Sequence, residues 1–216
     1  INIRMKTKAI GIKAQDYQTG KVDISSFFHH IKTFENQPGD AITEMYAHKQ
    51  EGVDASAFSF GEELTHNEYL ILKSADNKNA LAYYNKLENT LKQVPKLTSY
   101  GITPRNAEQA FAMHACLNRD VQLVSLTGKA GTGKTLIALA AALSMYKEFD
   151  QIFLARPIVP LANKEMGFLP GDAQEKISPY MQPLFDNLSV IKYSFPDKSM
   201  GRETIEELQK EQKLLI

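Results

Sequence analysis

The apolar positions of this 216-residue chain change their period along its length. Over residues 68–73 (Glu-Tyr-Leu-Ile-Leu-Lys) and 81–84 (Leu-Ala-Tyr-Tyr), short runs rich in aromatic and branched residues predict two strands. Turn chemistry over 75–79 separates them. Residues 41–50 predict a short helix, and a turn is expected from Gly61. Residues 21–98 therefore read as a small β-rich module. Residues 1–20 read as a short helix leaving a strand. Amphipathic sequence is already under way at Ile1, which predicts that the natural protein extends further upstream.

The texture shifts after residues 95–104, a Pro-bounded stretch expected to be a linker. Thr103 is the predicted N-cap, and Pro104 the first position, of a helix reaching Asn118. Residues 121–126 (Val-Gln-Leu-Val-Ser-Leu) predict a buried strand, 136–147 a helix, and 151–155 a second buried strand ending at Arg156. A strand–helix–strand order of this kind builds a parallel sheet with right-handed crossovers. Residues 158–171 read as an irregular loop rich in Pro and Gly. The helix expected from Asp172 is interrupted at Pro179 and Pro183, so it is kinked or split. Residues 204–213 predict a short charged helix, and an apolar strand begins at Leu214. The fold class is α/β, with an incomplete parallel sheet over 99–216 preceded by the smaller module.

Composition narrows the classes. Net charge is zero, with 12 Lys/Arg against 12 Asp/Glu in residues 1–100 and 13 against 13 thereafter. The bulk charge excess of a dedicated nucleic-acid binder is missing. Only the first thirteen residues are locally basic, through Arg4, Lys6, Lys8 and Lys13; a solvated segment and a binding arm both explain them. No apolar run approaches the roughly 18 residues of a membrane span. The single Cys116 gives no disulfide framework and fits a reducing, cytoplasmic setting, more as a small core residue than as a nucleophile.

The most informative stretch is 128–135, Gly-Lys-Ala-Gly-Thr-Gly-Lys-Thr, a complete phosphate-loop pattern between a predicted strand and a predicted helix. Its glycines let successive backbone N–H groups turn toward phosphate oxygens, and the helix N-terminus adds favourable partial charge. Gly128, Lys129, Ala130, Gly131, Thr132 and Gly133 are expected to cradle phosphates. Lys134 would reach the β- and γ-phosphates, and the Thr135 hydroxyl would ligate Mg²⁺. Hydrolysis also needs a carboxylate at the end of a neighbouring strand, and no apolar run ending in Asp or Glu follows the loop. Asp172 and Glu175 are the acids with any claim to substitute, though helix-capping and solvated roles suit both. The missing acidic strand is expected beyond Ile216. A guanine-reading Asn-Lys-x-Asp is also absent: Asn163-Lys-Glu-Met166 lacks the Asp, and Asn85-Lys-Leu-Glu88 lies upstream with the wrong acid.

About twenty residues before the loop stands Gln109, on the approach helix. By itself a helical Gln is a surface residue. At this spacing it matches the amide with which helicase-type domains read adenine, one donor and one acceptor, which makes ATP the expected nucleotide.

Arg-Asn-Ala-Glu-Gln over 105–109, the loop at 128–135, Ala-Arg-Pro-Ile-Val over 155–159, Met-Gly-Phe-Leu-Pro-Gly over 166–171 and Glu175-Lys176 occur in this order. Residues 101–190 thereby resemble the PhoH family, bacterial cytoplasmic P-loop ATPases related to the nucleotide-binding domain of superfamily 1 helicases. The opening seventeen residues resemble the end of a PIN nuclease domain, as in two-domain PIN–PhoH proteins. The resemblance implies a P-loop NTPase fold of RecA/helicase type and three segments: 1–20 the end of a PIN-like domain, 21–98 a connecting module, and 99–216 the ATPase domain. It also implies ATP and Mg²⁺ as cofactors and RNA as substrate, with unwinding or degradation of RNA in the full-length protein. The PIN catalytic acids would lie upstream of Ile1, so neither nuclease chemistry nor complete hydrolysis is expected of these residues alone.

In helicase-like ATPases the segment after Arg156 faces single-stranded nucleic acid. Arg156, Lys164 and Lys176 would contact phosphates and Phe168 would stack on a base. The alternative is a loop packed on the sheet with Arg156 and Glu175 paired. A homo-oligomer is expected, with a neighbour supplying a transition-state arginine, for which Arg156 is a candidate. Two other readings share the phosphate loop: a small-molecule kinase with 158–171 as its lid, and a nucleotide-binding fragment without turnover.

Overall fold

A computed structural model describes residues 2–13, 31–156, 173–196 and 199–215, without the side chains of 2–5 and 173–179. In the unit before Ile31, the described residues carry one helix, α1 (Asn2–Ala9), with Lys6 and Lys8 in its last turn.

The module is built from β1 (Lys32–Gln37), α2 (Gly39–Ala47), β2 (Val53–Asp54), β3 (Tyr69–Ser74), β4 (Asn79–Asn85) and β5 (Thr90–Gln93). Its sheet runs β1-β3-β4-β5-β2, with β1 parallel to β3 and the other pairs antiparallel. Alternation decides its faces. Leu70, Leu72, Ala82 and Leu91 point to one side, where they bury against Ile42 and Met45 of α2. Tyr69, Tyr83 and Lys92 share the opposite face, since Tyr69 pairs with Tyr83 and Tyr83 with Lys92. Asn77, at φ 62°, makes the left-handed residue of the turn expected between β3 and β4.

α3 (Ala107–Leu117) lies on that second face. Phe111 meets Tyr69 at a ring-centroid distance of 5.1 Å, and the Tyr69 hydroxyl hydrogen-bonds His114 Nδ1 at 2.9 Å. α4 (Lys134–Ser144), α5 (Ala173–Tyr193) and α6 (Met200–Lys210) form a second core with α3, through Met113, Leu139, Leu143, Leu188, Ile191 and Ile205. β6 (Ile152–Phe153) pairs in parallel with β7 (Leu214–Leu215) beside it. This parallel pair between helices gives the α/β arrangement expected of a P-loop NTPase-like fold. No helix among the described residues is long and apolar enough to cross a membrane.

Four expectations are corrected. Residues 121–126 form no strand: they have no ladder partner among the described residues, and Leu123 is 87% exposed. Apolar sequence makes a strand only where a neighbour completes its hydrogen bonds. The N-cap of α3 is Asn106, whose Oδ1 accepts from Gln109 N at 2.9 Å; Thr103 instead bonds the Thr98 hydroxyl at 2.8 Å. An Asn carboxamide at the cap supplies the acceptor that the first helical N–H groups need. Residues 95–104 are not a loose linker, because Ser99 is buried and bonds Ala140 O and Ser144 Oγ of α4 at 3.2 and 2.7 Å. Finally, α5 runs unbroken through Pro179 and Pro183. Each proline costs its helix about 3 kcal/mol, and the buried Leu184, Leu188 and Ile191 further along the same helix offset that by packing.

The Tyr69–His114 contact makes stability depend on pH. Burial lowers the His114 pKa below its ordinary value. A neutral ring therefore contributes stability that is present above the unfolded pKa of about 6.5 and is lost as pH falls toward the lower folded value. Acidifying from pH 7 to 5 is expected to lower the thermal midpoint, and His114→Gln to flatten that fall. Identical pH slopes for both proteins would remove His114 as the cause. Burial also raises the Cys116 thiol pKa, which suits the core role expected of it.

Candidate nucleotide-binding site

The loop at 128–135 closes onto the first turn of α4. Gly128, Gly131 and Gly133 have φ of 144°, 78° and 85°, the region that side chains disfavour. Gly133 is also the N-cap of α4, and a Cβ there would approach Gln109 Nε2 to 3.3 Å. The requirement for glycine at this position is thus both conformational and steric.

Lys134 folds back over the loop. Its Nζ donates to the carbonyl oxygens of Gly128 at 2.9 Å and Lys129 at 2.7 Å, and to Thr132 Oγ1 at 3.3 Å. The Thr132 hydroxyl in turn donates to Lys129 O at 2.9 Å. Ala130 and Gly131 form the exposed tip. Thr135 is exposed on the first turn of α4, beside Lys134 in a cavity of about 510 Å³ that also touches Leu126 and Ala155.

Gln109 reaches the loop from α3. Its Nε2 donates to Thr132 O at 3.2 Å and its Oε1 accepts from Arg105 N at 2.8 Å. With Asn106 this makes a reciprocal cap related to a capping box. A carboxamide has two N–H donors and two acceptor lone pairs. One of each is used here, leaving one donor and one acceptor for a ligand. Sequence spacing placed Gln109 near the loop; its bond to Thr132 had no sequence signal.

The cavity beside Thr135 adjoins a second, of about 650 Å³, and both touch Val124, Ala138, Ala142 and Ile152. A cleft thus runs between residues 121–126 and β6, with small side chains of α4 along it. Arg156, just beyond β6, is exposed. Lys164, Phe168 and Asp172 lie outside the described residues, as do the side chains of Glu175 and Lys176, so the expected pairing of Arg156 with Glu175 lies outside them too.

Comparison with known proteins agrees with this architecture. Protein PhoH2 of Bacillus subtilis (strain 168) is 34% identical over 198 residues, covering 88% of this chain and 43% of that protein. That coverage exceeds what 101–216 alone supplies, so the similarity extends into the sheet module. A PhoH-like protein of the same organism is 32% identical over 150 residues, 68% of this chain and 46% of the relative. Protein PhoH of Escherichia coli (strain K12) is 40% identical over 89 residues, 40% of this chain and 24% of the relative. The chain spans less than half the length of these curated relatives. No solved structure is a significant match. The family model described as PhoH-like protein matches residues 101–216, a stretch that holds α3 with Gln109, the phosphate loop, α4 and the β6–β7 pair. On that match over more than half its length, the chain belongs to the PhoH family.

Proposed function

We propose that the chain binds ATP with Mg²⁺ at the 128–135 loop, and that the full-length protein couples ATP hydrolysis to the handling of single-stranded RNA. One observation carries the nucleotide reading. Positive-φ glycines, the amino end of α4 and the Lys134 ammonium converge on one exposed loop, which Gln109 holds from the side.

On this reading the ATP phosphates replace the carbonyls of Gly128 and Lys129 as partners of Lys134, a charge-assisted exchange that favours the anion. Backbone N–H groups at the start of α4 point toward the same oxygens. The Thr135 hydroxyl holds Mg²⁺, which when bound neutralises charge on the β- and γ-phosphates. Arg156 is the candidate contact for RNA, or the arginine given to a neighbouring copy in a homo-oligomer. The RNA part rests on the family resemblance. A cytoplasmic location accords with the single, half-buried Cys116.

Phosphate release by the full-length protein, measured with and without a short single-stranded RNA, tests this. Stimulation by RNA is expected; a rate indifferent to RNA at every concentration counts against coupling, while no binding of labelled ATP counts against the whole reading. Gln109→Ala removes two hydrogen-bond sites for adenine. At about 1–1.5 kcal/mol for one net bond, ATP affinity should fall roughly tenfold and GTP affinity little. Equal losses for both nucleotides would instead make Gln109 a support for the loop alone.

A further inference from the structure

The Gln109 carboxamide is pinned at both ends. Its Nε2 donates to Thr132 O at 3.2 Å and its Oε1 accepts from Arg105 N at 2.8 Å. The Gln109 backbone N–H donates in turn to Asn106 Oδ1 at 2.9 Å. We propose that Asn106 is a positioning residue for base selection, a role that rests on Gln109 being the base contact. By fixing Gln109, it makes the carboxamide accept adenine and turn guanine away.

The two partners decide which way the carboxamide faces. The Arg105 N–H can only donate and the Thr132 carbonyl can only accept, so the oxygen lies toward 105 and the nitrogen toward 132. A half-turn would set donor against donor and acceptor against acceptor. The remaining lone pair and N–H therefore keep one order. The amino group and N7 of adenine match it. Guanine carries an oxygen where adenine carries the amino group, and that oxygen would face Oε1 with no proton between them. A loose glutamine escapes this by rotating its oxygen away and offering its N–H alone. Rejecting guanine thus needs a carboxamide that is held, not merely one that is present.

The held geometry depends on the first turn of α3. Asn106 is the N-cap, in extended backbone at φ −141° and ψ 176°, and its side-chain oxygen closes that turn on the Gln109 N–H. The closed turn brings Arg105 N alongside the Gln109 side chain. Pro104 is buried, which anchors the chain as it enters the turn. Asn106 itself is exposed, and its Nδ2 makes no hydrogen bond among the described residues. Its contribution is then one acceptor oxygen. Restraining a glutamine side chain costs rotamer entropy, and a preformed turn meets that cost before the ligand arrives.

A cycle of Asn106→Ala and Gln109→Ala in the full-length protein tests this, read by titration with ATP, GTP and inorganic tripolyphosphate. Asn106→Ala should lower ATP affinity about threefold to tenfold, the loss expected when a long side chain is released. GTP and tripolyphosphate affinities should hold, and retained tripolyphosphate binding shows that the fold does too. In the Gln109→Ala background the same change should alter none of the three, because nothing is left to position. Asn106→Ser returns an acceptor without adding charge beside the phosphates, and should restore the preference for ATP. Equal losses for all three ligands, or a further loss in the Gln109→Ala background, would make Asn106 a support for the loop and overturn the proposal. A preference for ATP that survives Asn106→Ala overturns it as well, and leaves the ATP reading standing. A parent protein that binds tripolyphosphate but does not separate ATP from GTP removes Gln109 as the base contact, and Asn106 with it. Failure to bind any of the three removes the phosphate assignment too.

Discussion

Lys134→Ala is expected to leave the chain folded and unable to hold ATP. The side chain is only partly buried, and its three hydrogen bonds are all made within the loop. Losing them removes no core contact, so the thermal midpoint should move by no more than a surface substitution allows, about 0.5 kcal/mol. The ligand meets a different situation. The γ-phosphate carries the largest share of a triphosphate's charge, and the Lys134 ammonium is folded over this loop. A charge-assisted hydrogen bond contributes about 1.5–3 kcal/mol, and losing two of them lowers affinity roughly 100-fold or more. Titration with a fluorescent ATP analogue measures this directly. Tight binding that survives the substitution would sink the phosphate assignment, whatever the family.

Gly101→Val is expected to cause the largest loss of stability, although Gly101 touches no ligand. The chain turns at Tyr100 and Gly101, with φ of 42° and 78°, inside the bridge formed by Ser99 and Ile102. A Cβ at 101 would overlap Ser194 Oγ and come within 3.3 Å of the Phe195 ring. Ser194 has little room to yield, because its hydroxyl donates to Ile191 O at 2.7 Å at the end of α5. Backbone strain and overpacking each cost about 1–3 kcal/mol, so a loss of roughly 2–4 kcal/mol follows. For a chain of this size that lowers the thermal midpoint by about 5–15 °C. Scanning calorimetry decides the matter: a midpoint within a degree of the parent protein would mean that the turn is as loose as its Pro- and Gly-rich sequence suggests.

Much of the site was legible because its chemistry is local. The phosphate-loop pattern is eight consecutive residues, in which Gly128, Gly131 and Gly133 take positive φ and Lys134 folds over the loop. Gln109 was placed correctly near the loop because helix and loop are joined by a short connection. Strands β3 and β4 showed in their alternation. β1 did not, because Lys-Thr-Phe-Glu-Asn-Gln is an edge strand with half its positions exposed, and β2 is only two residues long. The prolines in α5 misled because their local cost was weighed without the packing of Leu184, Leu188 and Ile191. Residues 121–126 misled in the opposite sense, since apolar sequence says nothing of whether a neighbour is there to pair with.

α3 presents Phe111 to the module and Met113 to the second core, on opposite faces of one helix. The second core includes α3, and the module rests its Tyr69 and Tyr83 face on that helix, so melting the second core strips a face from the module. The described part of the chain from Ile31 onward should therefore unfold as one cooperative unit, with a single calorimetric transition. By the same token, a change that loosens the module transmits its cost to the helix that carries Gln109. The module is then a determinant of how well the phosphate loop is held, even though no residue of its sheet reaches that loop.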